Sequence, residues 1–263
     1  MLATDSLDIL VNEALTDLNA RYRIGDIRPV PIEEIIKSEG GRIVRRFMTI
    51  DASLSYGKRG DGFRISVNSA HPAVRQRFSI GHEFGHVVLE RASSGVRNGS
   101  HPRSCEILSA PSPEAVERTC NKFSARLLIP DEVVGWLADW GILSIQGLRN
   151  AARDWAVSLQ ALAWHVFETA PGDGGIISLR WSKSPGDHGG HSLSVDWAMF
   201  PKGPRFSLEQ DAAVVATPLL DEMLSCNEET TFREVVVPLP GFGFKRNVHA
   251  LRTAGSLLLL ICP

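Results

Sequence analysis

Cysteine is scarce: Cys105, Cys120, Cys226 and Cys262 are the only four in 263 residues, widely separated and with no C-x-x-C pair. No disulfide framework follows from such spacing, and reduced thiols are expected. Charge of one sign is lacking as well. Twenty-eight Lys and Arg against 30 Asp and Glu leave a net charge of −2. No overall attraction to nucleic acid or an anionic membrane is implied, although local patches remain open. Long apolar runs are absent, since Leu257 to Cys262 is the longest and is far too short to span a bilayer. Met1 to Ala20 alternates acids with a helical apolar pattern and has no basic n-region followed by an apolar h-region. No secretory signal is therefore expected, and the cytoplasm is the expected location. What is present, 43% hydrophobic and 22% charged residues, is the composition of a globular protein long enough for two modest domains.

The richest stretch is Arg75 to Glu90, RQRFSIGHEFGHVVLE. On a helix, His82 and His86 are one turn apart on one face, so two imidazoles can reach one ion. Glu83 lies beside the first of them, placed to take a proton from water without ligating. A chance H-E-x-x-H arises on the order of 1% of the time in a chain of this length. Here Val74, Phe78, Gly81, Gly85 and Val88 draw an apolar helical stripe from which His82, Glu83 and His86 are displaced. Gly85 costs about 1 kcal/mol against Ala in a helix, which points to close approach by another backbone.

A third protein ligand is needed. Leu89 and Ala92 exclude the H-E-x-x-H-x-x-G-x-x-H class, and Glu90 lies about 12 Å along the axis from His82. Another helix begins at Ser112-Pro113-Glu114, with a cap, a proline at the first position and an acid in the first turn. Glu117, Asn121 and Ser124 share its polar face, with Val116, Cys120, Phe123 and Leu127 opposite. Glu114 falls nearer the solvated end, so Glu117 is the chosen ligand and Cys120 reads as core.

The run RQRFSIGHEFGHVVL, followed by ERTCNKFSARLLIP, resembles the ImmA/IrrE family of metallopeptidases in two separated motifs. Gly81 stands where Ala is common, and Ser124 replaces an Ala. The resemblance implies a zincin-like, gluzincin-type core in which His82, His86 and Glu117 hold Zn²⁺, with Mn²⁺ or Fe²⁺ as alternatives, and Glu83 is the general base. It further implies a metalloendopeptidase that cuts a helix-turn-helix repressor in a stress or induction response. The rival is a non-cleaving regulatory protein that binds DNA or a repressor around a structural metal. Tyr56 and Arg75 are candidates for steadying an oxyanion.

The expected fold class is α+β, in three parts. Residues 1–135 form the peptidase domain, 136–170 a helix-turn-helix-like segment, and 171–263 a second α+β domain, GAF-like by resemblance. In the first part, Asp8 to Tyr22 and Ile32 to Glu39 read as helices. Arg42 to Thr49 and Phe63 to Val67 read as strands joined by a polar connection, and the second strand is a candidate substrate-pairing edge. Arg91 to Pro111 reads as a surface loop containing His101, which, like His71 before the His82 helix, reads as a loop histidine. Charges between Trp136 and Ala170 sum to −1, so the helical pair reads as packing or protein-binding and direct DNA contact is not expected. Further on, Ile176 to Trp181, Ser192 to Phe200, Phe232 to Val237 and Ser256 to Cys262 read as strands, with a helix over Glu209 to Leu224.

Overall fold

A computed structural model describes residues 2–57, 62–93, 112–137, 143–169, 174–183, 191–200, 208–215, 217–237, 239 and 245–262. The described chain is mixed α+β and divides into two compact units. One contains Met1–Asp131 with Arg153–Ser158, and the other Glu132–Ala152 with Leu159–Pro263. Among the described residues no helix is long and apolar enough to cross a membrane.

The first unit opens with α1 (Leu2–Tyr22) and α2 (Ile32–Ser38). Three strands follow, β1 (Gly41–Arg46), β2 (Ala52–Tyr56) and β3 (Phe63–Asn68), in the order β1-β3-β2. β1 runs parallel to β3, and β2 antiparallel to it. The polar connection between the two expected strands thus contains a strand of its own. Its sequence, Ala-Ser-Leu-Ser-Tyr, has no fully buried residue and hides no face, so it lacks the apolar alternation by which half-buried strands are read. β3 is central, paired on both sides, and is therefore not the free edge that its sequence suggested. Its pattern is apolar because Phe63, Ile65 and Val67 are all buried. Asn68 ends it, and its buried amide is satisfied by the Met48 carbonyl at 2.7 Å and the Ala70 amide at 3.1 Å.

Two long helices complete the unit, α3 (Ala73–Ser93) and α4 (Pro113–Leu128). Ser112 caps α4 by accepting the Ala115 amide, with Pro113 in the first turn. On α3 the deepest apolar residues are Ile80, Phe84 and Val87, whereas Val74, Phe78 and Val88 of the expected stripe are only half-buried. The reason is that α3 is covered on two sides. Phe84 stacks with Phe63 of β3 at 6.1 Å and meets Phe123 of α4 edge-on at 5.9 Å. Gly81 and Gly85 face α4: a Cβ at Gly85 would lie 3.2 Å from the Cys120 Cα, and one at Gly81 only 2.4 Å from the Ser124 Oγ. Glu39, at the end of α2, gathers Arg91 at 2.9 Å, the Tyr22 hydroxyl at 2.8 Å and Arg21, tying α1 and α3 to one carboxylate.

In the second unit come α5 (Asp131–Leu137), α6 (Ile145–Asp154) and α7 (Leu159–Thr169), save Asp131 at the start of α5 and Arg153 and Asp154 at the end of α6, which are assigned to the other unit. The Glu229 carboxylate accepts the Ile145 and Gln146 amides at 2.9 and 2.8 Å, supplying partners for the first α6 donors. The sheet holds β4 (Gly175–Lys183), β5 (His191–Met199), β6 (Ala213–Val214), β7 (Thr230–Val236), β8 (Lys245–Arg252) and β9 (Ser256–Ile261), in the order β6-β5-β4-β9-β8-β7 with every pair antiparallel. Its core includes Ile177, Leu179, Val195, Val248, Leu257 and Leu259 with Leu220 and Met223 of α8 (Pro218–Ser225). α8 is shorter than expected from Glu209 to Leu224. Thr217 caps it and Pro218 starts it, while Ala213 and Val214 pair with β5. β8 was not legible because charged and polar residues interrupt its apolar ones, although Val248 and Ala250 are fully buried.

Gly81 and Ser124, the two departures from the family pattern, touch one another. Ser124 is fully buried and its hydroxyl donates to the Phe78 carbonyl at 2.8 Å. Gly81→Ala is expected to lose about 1–2 kcal/mol of stability, the clash outweighing a helix-propensity gain of about 1 kcal/mol. Ser124→Ala should lose about 1 kcal/mol. The double substitution should be no less stable than Ser124→Ala alone, a coupling of about 1–2 kcal/mol measurable from urea midpoints. Simple additivity would show that the two positions do not compete for space.

Candidate metal centre

His82 and His86 project from α3 toward α4, where Glu117 stands one helical turn before Asn121. The His82 Nε2 lies 3.1 Å from one Glu117 oxygen, the His86 Nε2 lies 3.4 Å from the other, and the two Nε2 atoms are 3.2 Å apart. The rings meet edge-on with centroids at 5.0 Å. Among the described residues these three form the one group of donors able to share a metal ion, their ligand atoms all within 4.8 Å of one another. Donors roughly 2.0–2.1 Å from a tetrahedral ion sit about 3.3 Å from each other. The observed separations have that size, so the donor set fits a divalent cation in both chemistry and spacing.

The imidazoles are half-buried and the Glu117 side chain is 57% exposed, which leaves one side of the site open. Burial lowers the His86 pKa, the His82 charge lowers it further, and Glu117 opposes both. The neutral ring that results is the form that ligates metal. Ligation through Nε2 requires the proton on Nδ1, and the Asn121 Oδ1 is 2.8 Å from the Nδ1 of His82. On sequence Asn121 was placed only on the polar face shared with Glu117 and Ser124. Its place, four residues after Glu117 on one helical face, was the available signal for an orienting role.

Glu83 is near the three donors but not one of them. Burial raises its pKa, the His82 charge lowers it, Glu117 raises it, and the Leu54 backbone amide lowers it by hydrogen bonding. A raised carboxyl pKa suits proton transfer near neutrality. The Leu54 contact also means that β2 orients this side chain. Glu114 is exposed in the first turn of α4, its carboxyl held low by its own backbone amide and by Ser112. It stands outside the group. The Cys120 thiol is fully buried and pushed up to about 12 by burial, with Glu117 and Glu83 adding to the shift, so it packs as a protonated core side chain.

The remaining candidates are otherwise engaged. Arg75 makes a bidentate pair with Asp51 at 2.9–3.2 Å, and His71 also reaches Asp51 at 2.9 Å. Tyr56 is raised in pKa by burial and by its hydrogen bond to Glu90 on α3. His101 and Cys105 lie outside the described residues, as does the span 94–111 of the expected loop.

Residues 38–165 match the family described as Peptidase_M78, IrrE N-terminal-like domain. No curated protein matches the chain. A solved structure of a Mycobacterium tuberculosis transcriptional regulator is similar, with a TM-score of 0.52 and 14% identity over 98% of this chain and 76% of that one. At that identity the likeness is one of fold.

Removing the group that orients a ligating imidazole typically weakens metal binding 10–100-fold. Asn121→Ala should weaken Zn²⁺ binding by about that factor, and Asn121→Asp should retain it. Competition against a chromophoric chelator measures both, and unchanged affinity in Asn121→Ala would remove Asn121 from the site.

Proposed function

We propose that residues 38–165, an IrrE N-terminal-like domain of the Peptidase_M78 family, act as a zinc-dependent endopeptidase. The observation that carries this reading is the convergence of His82, His86 and Glu117, with Glu83 close by and outside the ligand group. His82, His86 and Glu117 would hold the ion. A bound Zn²⁺ supplies Lewis acidity toward a carbonyl and a water, and Mn²⁺ or Fe²⁺ suits the same donors. Glu83 accepts the water proton on its carboxylate and returns it to the leaving amine. Its raised pKa and the Leu54 amide support both the affinity for that proton and the orientation of the group. Asn121 holds His82 in the tautomer that leaves Nε2 free.

An extended substrate backbone would pair with the free edge of β2, the strand whose Leu54 amide contacts Glu83. β2 thereby takes the role expected of β3. The substrate we infer is a helix-turn-helix transcriptional repressor cut in a stress or induction response. The family match and the fold shared with a mycobacterial transcriptional regulator support a regulatory setting. We read the second unit as a GAF-like sensor module, supported by its six-stranded antiparallel sheet. The scarcity and wide spacing of the cysteines support a cytoplasmic location.

Glu83→Gln should keep its metal yet cut a candidate helix-turn-helix repressor about 10²–10⁴-fold more slowly. Glu117→Ala should lose metal and activity together, as should chelator treatment of the unmodified protein. Mass spectrometry of the incubated repressor gives the cleavage site directly. Relief of repression by Glu83→Gln equal to that by the unmodified protein would overturn the peptidase reading.

A further inference from the structure

The outer face of the three-stranded sheet carries groups that the proposed peptidase chemistry leaves unused. Side chains alternate across a sheet, and Phe63, Ile65 and Val67 of β3 turn toward the helices, where Phe63 stacks with Phe84. Arg64 therefore turns the other way, and the register sets Arg42 of β1 on one side of it and Ser55 of β2 on the other. Two arginines stand directly opposite each other on neighbouring strands, both exposed. Like charges in that relation are destabilising. Neither guanidinium has an ion pair or hydrogen bond to a carboxylate among the described residues, in contrast to Arg45 with Glu33 and Arg75 with Asp51. Arg46, two rows along the same face, has no such pair either.

Arg42, Arg64 and Ser55 line a cavity of about 420 Å³ at the end of this sheet. Glycine backbone forms much of its remaining wall. Gly62, at φ +77°, brings its chain so close to the Gly40 carbonyl oxygen that a Cβ would lie 2.0 Å from it. Tyr56 and Phe63 complete the wall, so the two guanidinium groups are the charged groups of the space, and among the described residues no carboxylate lines it. Arginine forks match the oxygens of a phosphate group geometrically, with two parallel N–H···O bonds each. The volume is that of a small-molecule site, which favours a compact ligand over a polymer.

We propose that this pocket binds a small phosphorylated molecule, with Arg42 and Arg64 jointly holding its phosphate and Ser55 beside them. Arg42 and Arg64 are the charged residues among the described lining, so the local charge there is positive, as an anion site requires. The ligand would resolve the repulsion between the two arginines, so its binding should also stabilise the first unit.

The full-length protein should be titrated calorimetrically with inorganic phosphate and with ribose 5-phosphate, at ionic strength held constant with chloride. Saturable binding of one equivalent is expected, accompanied by a rise in Tm that chloride does not give. Arg42→Gln and Arg64→Gln should each weaken binding about tenfold or more, and the double variant should abolish it. Tighter binding of ribose 5-phosphate than of inorganic phosphate would identify a phosphate monoester as the ligand, and the reverse order would identify the free ion. Full binding by the double variant, an equal effect of chloride, or binding of single-stranded DNA without binding of either small phosphate would each overturn the proposal. Circular dichroism of the double variant, whose altered side chains are both exposed, separates lost binding from lost structure.

Discussion

The distance between two helices is the constraint on which the rest of the first unit depends. Glu117 can reach His82 and His86 because α3 presents no side chain toward α4 at Gly81 and Gly85. An alanine at either position would push the helices apart or force a neighbour to move. The conformational cost of two glycines in one helix, about 1 kcal/mol each, is offset by what the approach permits. Phe84 is enclosed between Phe63 and Phe123, and burial of such a side chain contributes roughly 1.5–3 kcal/mol. The same packing that stabilises the unit therefore sets the donor separations at the candidate metal centre.

How much of this was legible in the sequence depends on the distance over which each signal acts. His82 and His86 lie on one helix, so their relation follows from the helical repeat alone. The pitch of a second helix, together with its capped start at Ser112, placed Glu117 on a polar face, and Gly85 announced a close neighbour without naming it. Pairing partners were not legible. β2 escaped notice because its stability comes from backbone hydrogen bonds to β3 rather than from buried side chains of its own, and β3 looked like an edge because its burial does not reveal what lies beside it. In the second unit, β8 alternates imperfectly, and Thr217-Pro218 set a helix start that apolar spacing alone placed too early.

Interactions that reach across the chain were also beyond the sequence. On sequence Asn121 only shared the polar face of Glu117, and it is the 2.8 Å approach to the His82 Nδ1 that places it to orient that ring. Arg75 and Tyr56 looked available, yet Asp51 and Glu90 hold them. Conversely, Arg42 and Arg64 are unremarkable twenty-two residues apart in the chain and become a pair only through the parallel register of β1 and β3.

On α4 the candidate ligand Glu117, Asn121 beside the His82 ring and the buried Ser124 occupy successive turns of a single face. That helix acts as a ruler whose graduations are set by its own pitch. Adding or deleting one residue within it would rotate everything downstream by about 100°, carrying the anchor and the orienting amide away from α3 while the acid stayed behind. Length along this segment is thus under tighter control than the identity of most of its side chains.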